Sequence, residues 1–423
     1  MFLVILKGNK DLMKKIKVMA ILIALGIIFA GCNMVEVNEE RDRETVVAKV
    51  GDEVILKGEV YDQLNSMLSM YKMYGYYPED FETNPEYKEL YDEQVTGMVD
   101  TLVNLKVELI MAREKGCYQF SAEEREELDT KIQEVLNTYI NMYAEELVLD
   151  PKYADMSEDE LGAVAYENLD EYFINNDFGM TKQGIIDDYE NAKAKEVLFD
   201  LATNSVEVTE DEVKADYDQK VEDKKAAYED NTANFEQEAN NDETLYYIPE
   251  NARKAQHILI SISEEDQAEI DSYRQAGDDE KADAKLEEAL KSIEDAANGA
   301  YDRAVAGEDF IMLIEELGED PGMSTNEYYI VTNPTLMYAT EFVDGLFALE
   351  NVGDISKPVE TQFGYHIIKY YDNMESGPVA YDDLHDDIYD TMLTERKNTK
   401  YDEQLASWKE ETDITTYYNR VLN

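Results

Sequence analysis

Cysteine, histidine and tryptophan are scarce in this chain of 423 residues, at two, three and one copies. Two thiols exclude a disulfide framework and a zinc site built from several thiolates. Three imidazoles leave almost nothing for a His-rich metal centre. Basic residues are few: 38 Lys and Arg stand against 96 Asp and Glu, a formal net charge of −58. Nucleic acid and anionic lipid surfaces would repel such a chain and are disfavoured as electrostatic partners. No glycine-rich phosphate loop of the form GxGxxG or GxxxxGK(S/T) occurs, and the carboxylates contain no EF-hand pattern. What remains is 44% apolar and holds 31 tyrosines, which supports a packed core and argues against wholesale disorder. The length suits two or three domains.

The N-terminus reads as an export signal. Lys14, Lys15 and Lys17 precede the apolar run from Val18 to Ala30, which ends Phe29-Ala30-Gly31-Cys32. A basic region, a short apolar stretch and a small-residue end are the marks of a secretory signal, and the run is too short for a confident membrane span. Met13 is a natural start, since it opens the basic region directly. Cysteine after Ala-Gly resembles a bacterial lipobox, in which residues 1–31 are removed and Cys32 is acylated. A plain secretory signal or an uncleaved anchor are the alternatives, and each exports the chain. The mature chain would carry 33 basic and 95 acidic residues. An anionic bilayer repels that body, so an acyl chain at Cys32 would hold it nearby through a polar tether, residues 32–45. Cys117 is then unpaired and reads as a small hydrophobe.

Beyond the tether, Val46–Val50, Gly51-Asp52 and Glu53–Leu56 read as a β-hairpin. Residues 58–240 read as mostly helical. Ser121 with Glu124, and Thr209 with Glu212, form capping boxes that open two of the helices. The segment Met67–Tyr77 is rich in Met and Tyr: it is either core between helices or adaptable surface. Tyr228 to Thr244 is polar and Asn/Glu-rich and reads as a linker. From Tyr246 the pattern changes. Ala255–Ile262 alternates as a strand, a charged helical stretch follows with a break at Gln275–Asp279, and Gly364–Tyr371 is a second strong strand. A final helical stretch from about Tyr381 to Thr412 holds Trp408.

Several strings in 252–372 resemble the parvulin family of peptidyl-prolyl isomerases. They are Ala255-Gln-His-Ile-Leu-Ile260, Gly307-Glu-Asp-Phe310, Glu319-Asp-Pro-Gly322, Glu341–Leu349 and, most specific, Pro358–Lys369. Val47–Lys57 resembles the N-terminal chaperone region of exported parvulins. Together with the lipobox, the layout resembles the PrsA-like foldase lipoproteins of Gram-positive bacteria, with a SurA/PrsA-like architecture. The resemblance implies an α+β chain. A mostly helical chaperone body (46–245) and a C-terminal helix that packs on it (376–423) would flank a small parvulin-like α/β domain (246–375). It implies an extracytoplasmic prolyl isomerase and chaperone, anchored by lipid to the outer face of the cell membrane. Its partners would be unfolded or partly folded exported polypeptides, with no nucleic acid, no cofactor and no metal.

By the same resemblance His257 and His366 form the floor of the catalytic pocket and Asp320 sits near the amide. Phe342 lies over the proline ring and Phe363 close by. The family's pocket methionine falls four residues before the Phe. Here that position is Tyr338 and Met337 is one further, so either of them lines the pocket. The family's Gly-Gly-Asp-Leu-Gly string is replaced by Ser324–Ile330. Two other readings stay open: a catalytically inactive parvulin-fold holdase, and an acidic surface lipoprotein that binds a ligand or cell-wall component. His385, among Asp382, Asp383, Asp386 and Asp387, reads as a solvated helix residue.

Overall fold

The computed structural model describes residues 39–176, 178–241, 243–323, 325–335 and 337–422. Cys32, the segment 1–31 and the first part of the tether lie outside them. The described residues form two compact units: Val208–Met392, and the residues up to Glu207 together with those from Leu393 onward.

In the second of these units, β1 (Val46–Val50) and β2 (Glu53–Leu56) form the hairpin, and β9 (Ile414–Thr416) pairs with the other edge of β1. Gly51 turns the hairpin at φ +58°, a conformation glycine adopts without strain. Helices Lys57–Met73, Lys88–Glu114, Ala122–Leu147 and Lys182–Thr203 make up most of the rest. The Ser121/Glu124 capping box is formed, each side chain bonding the other's backbone N–H. Leu64, Leu68, Val95 and Val99 share one core with Trp408 and Val421 from the C-terminal stretch. Cys117 is buried there, and burial pushes its thiol pKa up. The Met/Tyr segment divides: Leu68 is buried in the core with Met67 and Tyr77 packed against it, while Met73, Tyr74 and Tyr76 are exposed.

In the unit 208–392, β3 (Tyr247–Ile248) and β8 (Gly377–Pro378) pair as a short ribbon beside a four-stranded antiparallel sheet of order β5-β4-β7-β6, from β4 (Ala252–Ser261), β5 (Tyr329–Thr332), β6 (Val359–Thr361) and β7 (Gly364–Asn373). Side chains alternate across it. Ile258, Ile260, Tyr365 and Ile367 face one side, under Phe310, Leu313 and the alanines of helix Asp279–Val305. Ala255, Ile368 and Tyr370 face the other, against Phe342 and Leu346 of helix Thr340–Phe347. The charged stretch after β4 is a pair of helices, Glu264–Gln275 and Asp279–Val305, broken at Gly277 with φ +72°.

The expected linker at 228–244 is not one. Helices Glu210–Asp230 and Thr232–Asn240 occupy it, with Tyr228 and Phe235 buried beside Ala252 and Ile330. Three apolar positions, Tyr228, Phe235 and Ala239, suffice to seat the segment once the sheet supplies a partner, and the polar residues between them hide the pattern. The compact unit therefore starts at Val208 and ends at Met392, wider than the expected 246–375.

Candidate active site

Strands β4 and β7 are adjacent and antiparallel, with His257 opposite Ile368 and Leu259 opposite His366. In that register the two histidines are diagonal neighbours on the same face. Their rings lie 5.0 Å apart, and Nδ1 of one is 3.1 Å from Nδ1 of the other. Both are buried, at 3% and 7% exposure. Asp320 arrives from the turn after helix Phe310–Leu317 and places Oδ2 2.8 Å from His257 Nε2. Tyr329 on β5 donates its hydroxyl to the same oxygen at 2.9 Å, and the Gly322 N–H donates to Oδ1 at 3.0 Å. At the far end, Thr361 Oγ1 is 3.0 Å from His366 Nε2.

His257 Nε2–H donates to the ionised Asp320, and the two Nδ1 atoms face each other across a hydrogen bond that needs one proton; Thr361 Oγ1 faces His366 Nε2 and lies 3.3 Å from the Gly364 carbonyl. Burial alone would raise the Asp320 carboxyl. The hydrogen bond and charge of His257, the Tyr329 hydroxyl and the Gly322 N–H bring it down to about 2. Burial, and then the charge on His257, depress His366 to about 3. The unfolded chain therefore takes up a proton near pH 6.5 that the folded lobe refuses. The contribution of His366 to stability is complete above that pH and declines as pH falls from 6.5 toward 3. His385 is the contrast: Asp386 at 2.8 Å and Glu210 at 3.0 Å raise its pKa. In an NMR titration the His366 ring signals are expected to stay fixed from pH 8 to about pH 4, while those of His385 titrate above 6.5. Assignment follows from His385→Ala, and a His366 midpoint near 6.5 would contradict the depressed value.

Above the rings lies a pocket of about 690 Å³. Phe342 stands nearly perpendicular to both imidazoles, at 5.3 and 5.2 Å between centroids. Tyr338 stacks on Phe342 at 6.0 Å, so the position four residues before the Phe is filled by Tyr338. Met337 also lines the pocket, 52% exposed at its edge, and Phe363 stands at the rim, 48% exposed. The pocket thus gathers His257, His366, Asp320, Phe342, Met337, Tyr338 and Phe363. The turn beside Asp320 closes without the family's glycine string. The Gly322 carbonyl accepts from the Thr325 N–H at 3.2 Å and the Asn326 N–H at 3.0 Å, and from both their side chains. Gly322 itself has no room for a side chain: a Cβ there would stand 1.9 Å from the Tyr329 hydroxyl.

Tyr329 and Thr361 are site residues that sequence reasoning did not single out. The only signal for them is alternation: Tyr329 lies two residues from core Val331, and Thr361 pairs with Gly364 two residues before His366. The pocket's second arm is formed by Glu264, Gln267, Asp271 and Glu319. Glu319 is fixed there by the Ser261 N–H at 2.7 Å and hydroxyl at 2.9 Å. Four carboxylates and no Lys or Arg line the pocket among the described residues.

An aromatic cup with two linked imidazoles and an ionised carboxylate at its base suits a proline ring and the amide before it. Residues 257–372 match the rotamase family of PPIC-type PPIase domains. The lobe is a parvulin-type peptidyl-prolyl cis-trans isomerase domain. The chain as a whole is PrsA-like: it is 25% identical to the foldase protein PrsA of Clostridium botulinum over 415 residues, covering 97% of this chain and all of the other. It is also 25% identical to the foldase protein PrsA of Clostridium tetani over 413 residues, covering 97% and 98%. Among solved structures, PrsA from Bacillus subtilis is similar at 18% identity, covering 88% of this chain and 94% of the other, with a TM-score of 0.20.

Proposed function

We propose that this protein is an extracytoplasmic prolyl isomerase and chaperone that assists the folding of exported proteins, held at the outer face of the cell membrane by an acyl chain on Cys32. The observation that carries the catalytic part is the convergence of His257, His366 and Asp320 beneath the Phe342 cup. Rotation about an X–Pro bond faces a barrier of roughly 18–20 kcal/mol, and the uncatalysed event takes about 10–100 s. The barrier is lost amide resonance, whose planar form places negative charge on the carbonyl oxygen. The aromatic cup takes the proline ring and withdraws the amide from water, which weakens that charge-separated form. The Asp320 carboxylate, held ionised beside the carbonyl, disfavours negative oxygen further. Both effects favour the twisted amide over either planar state, and no cofactor is needed.

The deciding experiment is refolding of a proline-limited client. Wild type should accelerate the slow phase in proportion to its concentration, and no acceleration removes the catalytic claim. Holding activity rests on the exposed Met73, Tyr74 and Tyr76, an adaptable apolar patch on the other unit. Suppression of aggregation of a denatured client, weakened by Met73→Ser with Tyr74→Ser, tests it. For the anchor, Cys32→Ala is expected to shift the chain from the detergent phase to the aqueous phase in a partition assay; equal partitioning of the two would exclude acylation.

The charge of the pocket bears on which prolines are processed. Peptides with Lys or Arg flanking proline are expected to show kcat/KM about two- to fivefold above those with Glu, since exposed charge pairs contribute about 0.2–1 kcal/mol. A peptide series with only that residue varied measures it, and Glu319→Gln should narrow the difference.

A further inference from the structure

The wall of the proline pocket hangs from loop residues 333–335 and 337–339, between β5 and helix Thr340–Phe347. Met337 and Tyr338 sit there. From the sheet side the Asn333 N–H donates to the Asn251 carbonyl at 3.2 Å, and Thr332 Oγ1 is 2.9 Å from the Pro334 carbonyl. From the other side comes helix Thr232–Asn240, which precedes the matched isomerase segment by some seventeen residues in the chain.

Three residues of that helix, each four apart, bond the loop and the strand leading into it. Thr232 Oγ1 donates to the Pro334 carbonyl at 2.8 Å. Glu236, fully buried, accepts from the Thr332 N–H at 2.7 Å, the Thr332 hydroxyl at 2.9 Å and the Thr335 hydroxyl at 2.6 Å. Thr335 Oγ1 in turn accepts the Met337 N–H at 3.0 Å. Asn240 clasps the Ile330 backbone, accepting its N–H at 2.9 Å and donating to its carbonyl at 3.0 Å; its amide nitrogen, which also donates to the Glu236 carbonyl at 2.7 Å, shares its protons with the Tyr338 hydroxyl at 3.2 Å. Residues four apart share one helix face, so a single stripe holds the wall at successive turns. Phe235 and Ala239 bury beside the stripe against Ala252 and Ile330 and keep the helix seated on the lobe.

A carboxylate without solvent is costly unless its lone pairs are filled. Glu236 fills its own with groups of the strand end and loop alone, so this burial has a return only if that segment is held still. We propose that Glu236 and Asn240 are positioning residues of the isomerase: Glu236 through Thr335 sets the backbone at Met337, and Asn240 sets the ring of Tyr338 over Phe342. The functional isomerase thus includes a helix outside residues 257–372, the span that matches the isomerase-domain family. The inference rests on the reading that this pocket binds prolyl peptides.

The test uses the full mature chain and a proline tetrapeptide. Asn240→Ala is expected to lower kcat/KM about five- to twentyfold, with the loss in KM rather than kcat, because the wall binds the ring and does not touch the rotating bond. Tyr338→Phe keeps the ring stacked and removes the hydroxyl, and in that background Asn240→Ala should cost at most twofold more. A helix that merely stabilised the lobe would give equal losses in both backgrounds. Thr335→Val leaves the bonds of Asn240 in place and severs the link from Glu236 to Met337; it should raise KM severalfold, and it serves if Asn240→Ala does not fold. Glu236→Gln, which retains an acceptor for the Thr332 N–H and a donor toward Thr335, should keep most of the activity that Glu236→Ala loses. Variants with wild-type KM, or losses that add across the Tyr338→Phe background, overturn the inference and leave the proposed activity standing. A wild type that accelerates nothing overturns both.

Discussion

Replacing His257 by alanine is expected to lower kcat/KM for prolyl isomerisation by about ten- to a hundredfold. Among the described residues the imidazole is the only group that joins Asp320 to His366. Its removal leaves the carboxylate to Tyr329 and Gly322 and leaves His366 Nδ1 without its partner. A hydrogen bond to a charged group contributes about 1.5–3 kcal/mol, and each 1.36 kcal/mol of barrier is roughly tenfold in rate. The loss therefore reaches two decades if most of that energy is felt in the twisted state. The alanine also removes the ring against which Phe342 stands, 5.3 Å away. Rates should be compared well below the thermal transition of the variant, followed separately by circular dichroism. Full activity at such a temperature would take His257 out of the machinery.

A larger effect on stability is expected from Gly364→Ala. Gly364 opens β7 at φ +139°, and a Cβ there would stand 2.1 Å from the Ile260 carbonyl oxygen and 2.8 Å from Ser261 Cα. Both atoms belong to the backbone of β4, so no rotamer change relieves the overlap. The strands must part where Gly364, two residues before His366, pairs with Ser261 and Thr361. The expected cost is about 4 kcal/mol or more, in the range reserved for broken cores and forced backbones, with isomerase activity lost in the same variant. Gly353 separates the two causes. Its φ is +95°, yet nothing lies within 4 Å of the position of its Cβ. Gly353→Ala should cost only the conformational part, roughly 1–2 kcal/mol. Denaturant unfolding of the two variants measures the difference, and equal destabilisation would show that backbone conformation rather than overlap governs both.

Much of the isomerase lobe is legible in the chain. Ala255–Ile260 and Gly364–Lys369 alternate cleanly, and alternation places His257 with Leu259 and His366 with Ile368 on single faces before any pairing is known. The helix break at Gly277 likewise follows from local chemistry, since that glycine takes positive φ. What is hidden depends on distance along the chain. Glu236 and Asn240 find their partners 90 to 99 residues away, so the stretch that holds them reads as polar and unstructured until the strand it serves is in place. Tyr338 and Met337 could not be separated by counting, because a loop fixes neither register nor direction. Thr361 is one hydroxyl among many until β6 pairs with β7 and brings it to His366.

The carboxylates along the second arm of the pocket make ionic strength a dial. The reach of exposed charges shrinks from about 30 Å at 0.01 M salt to about 3 Å at 1 M. In a dilute medium the cup would sort segments by their charge before the ring is seated. In brine that sorting fades, and the aromatic walls alone decide what is turned.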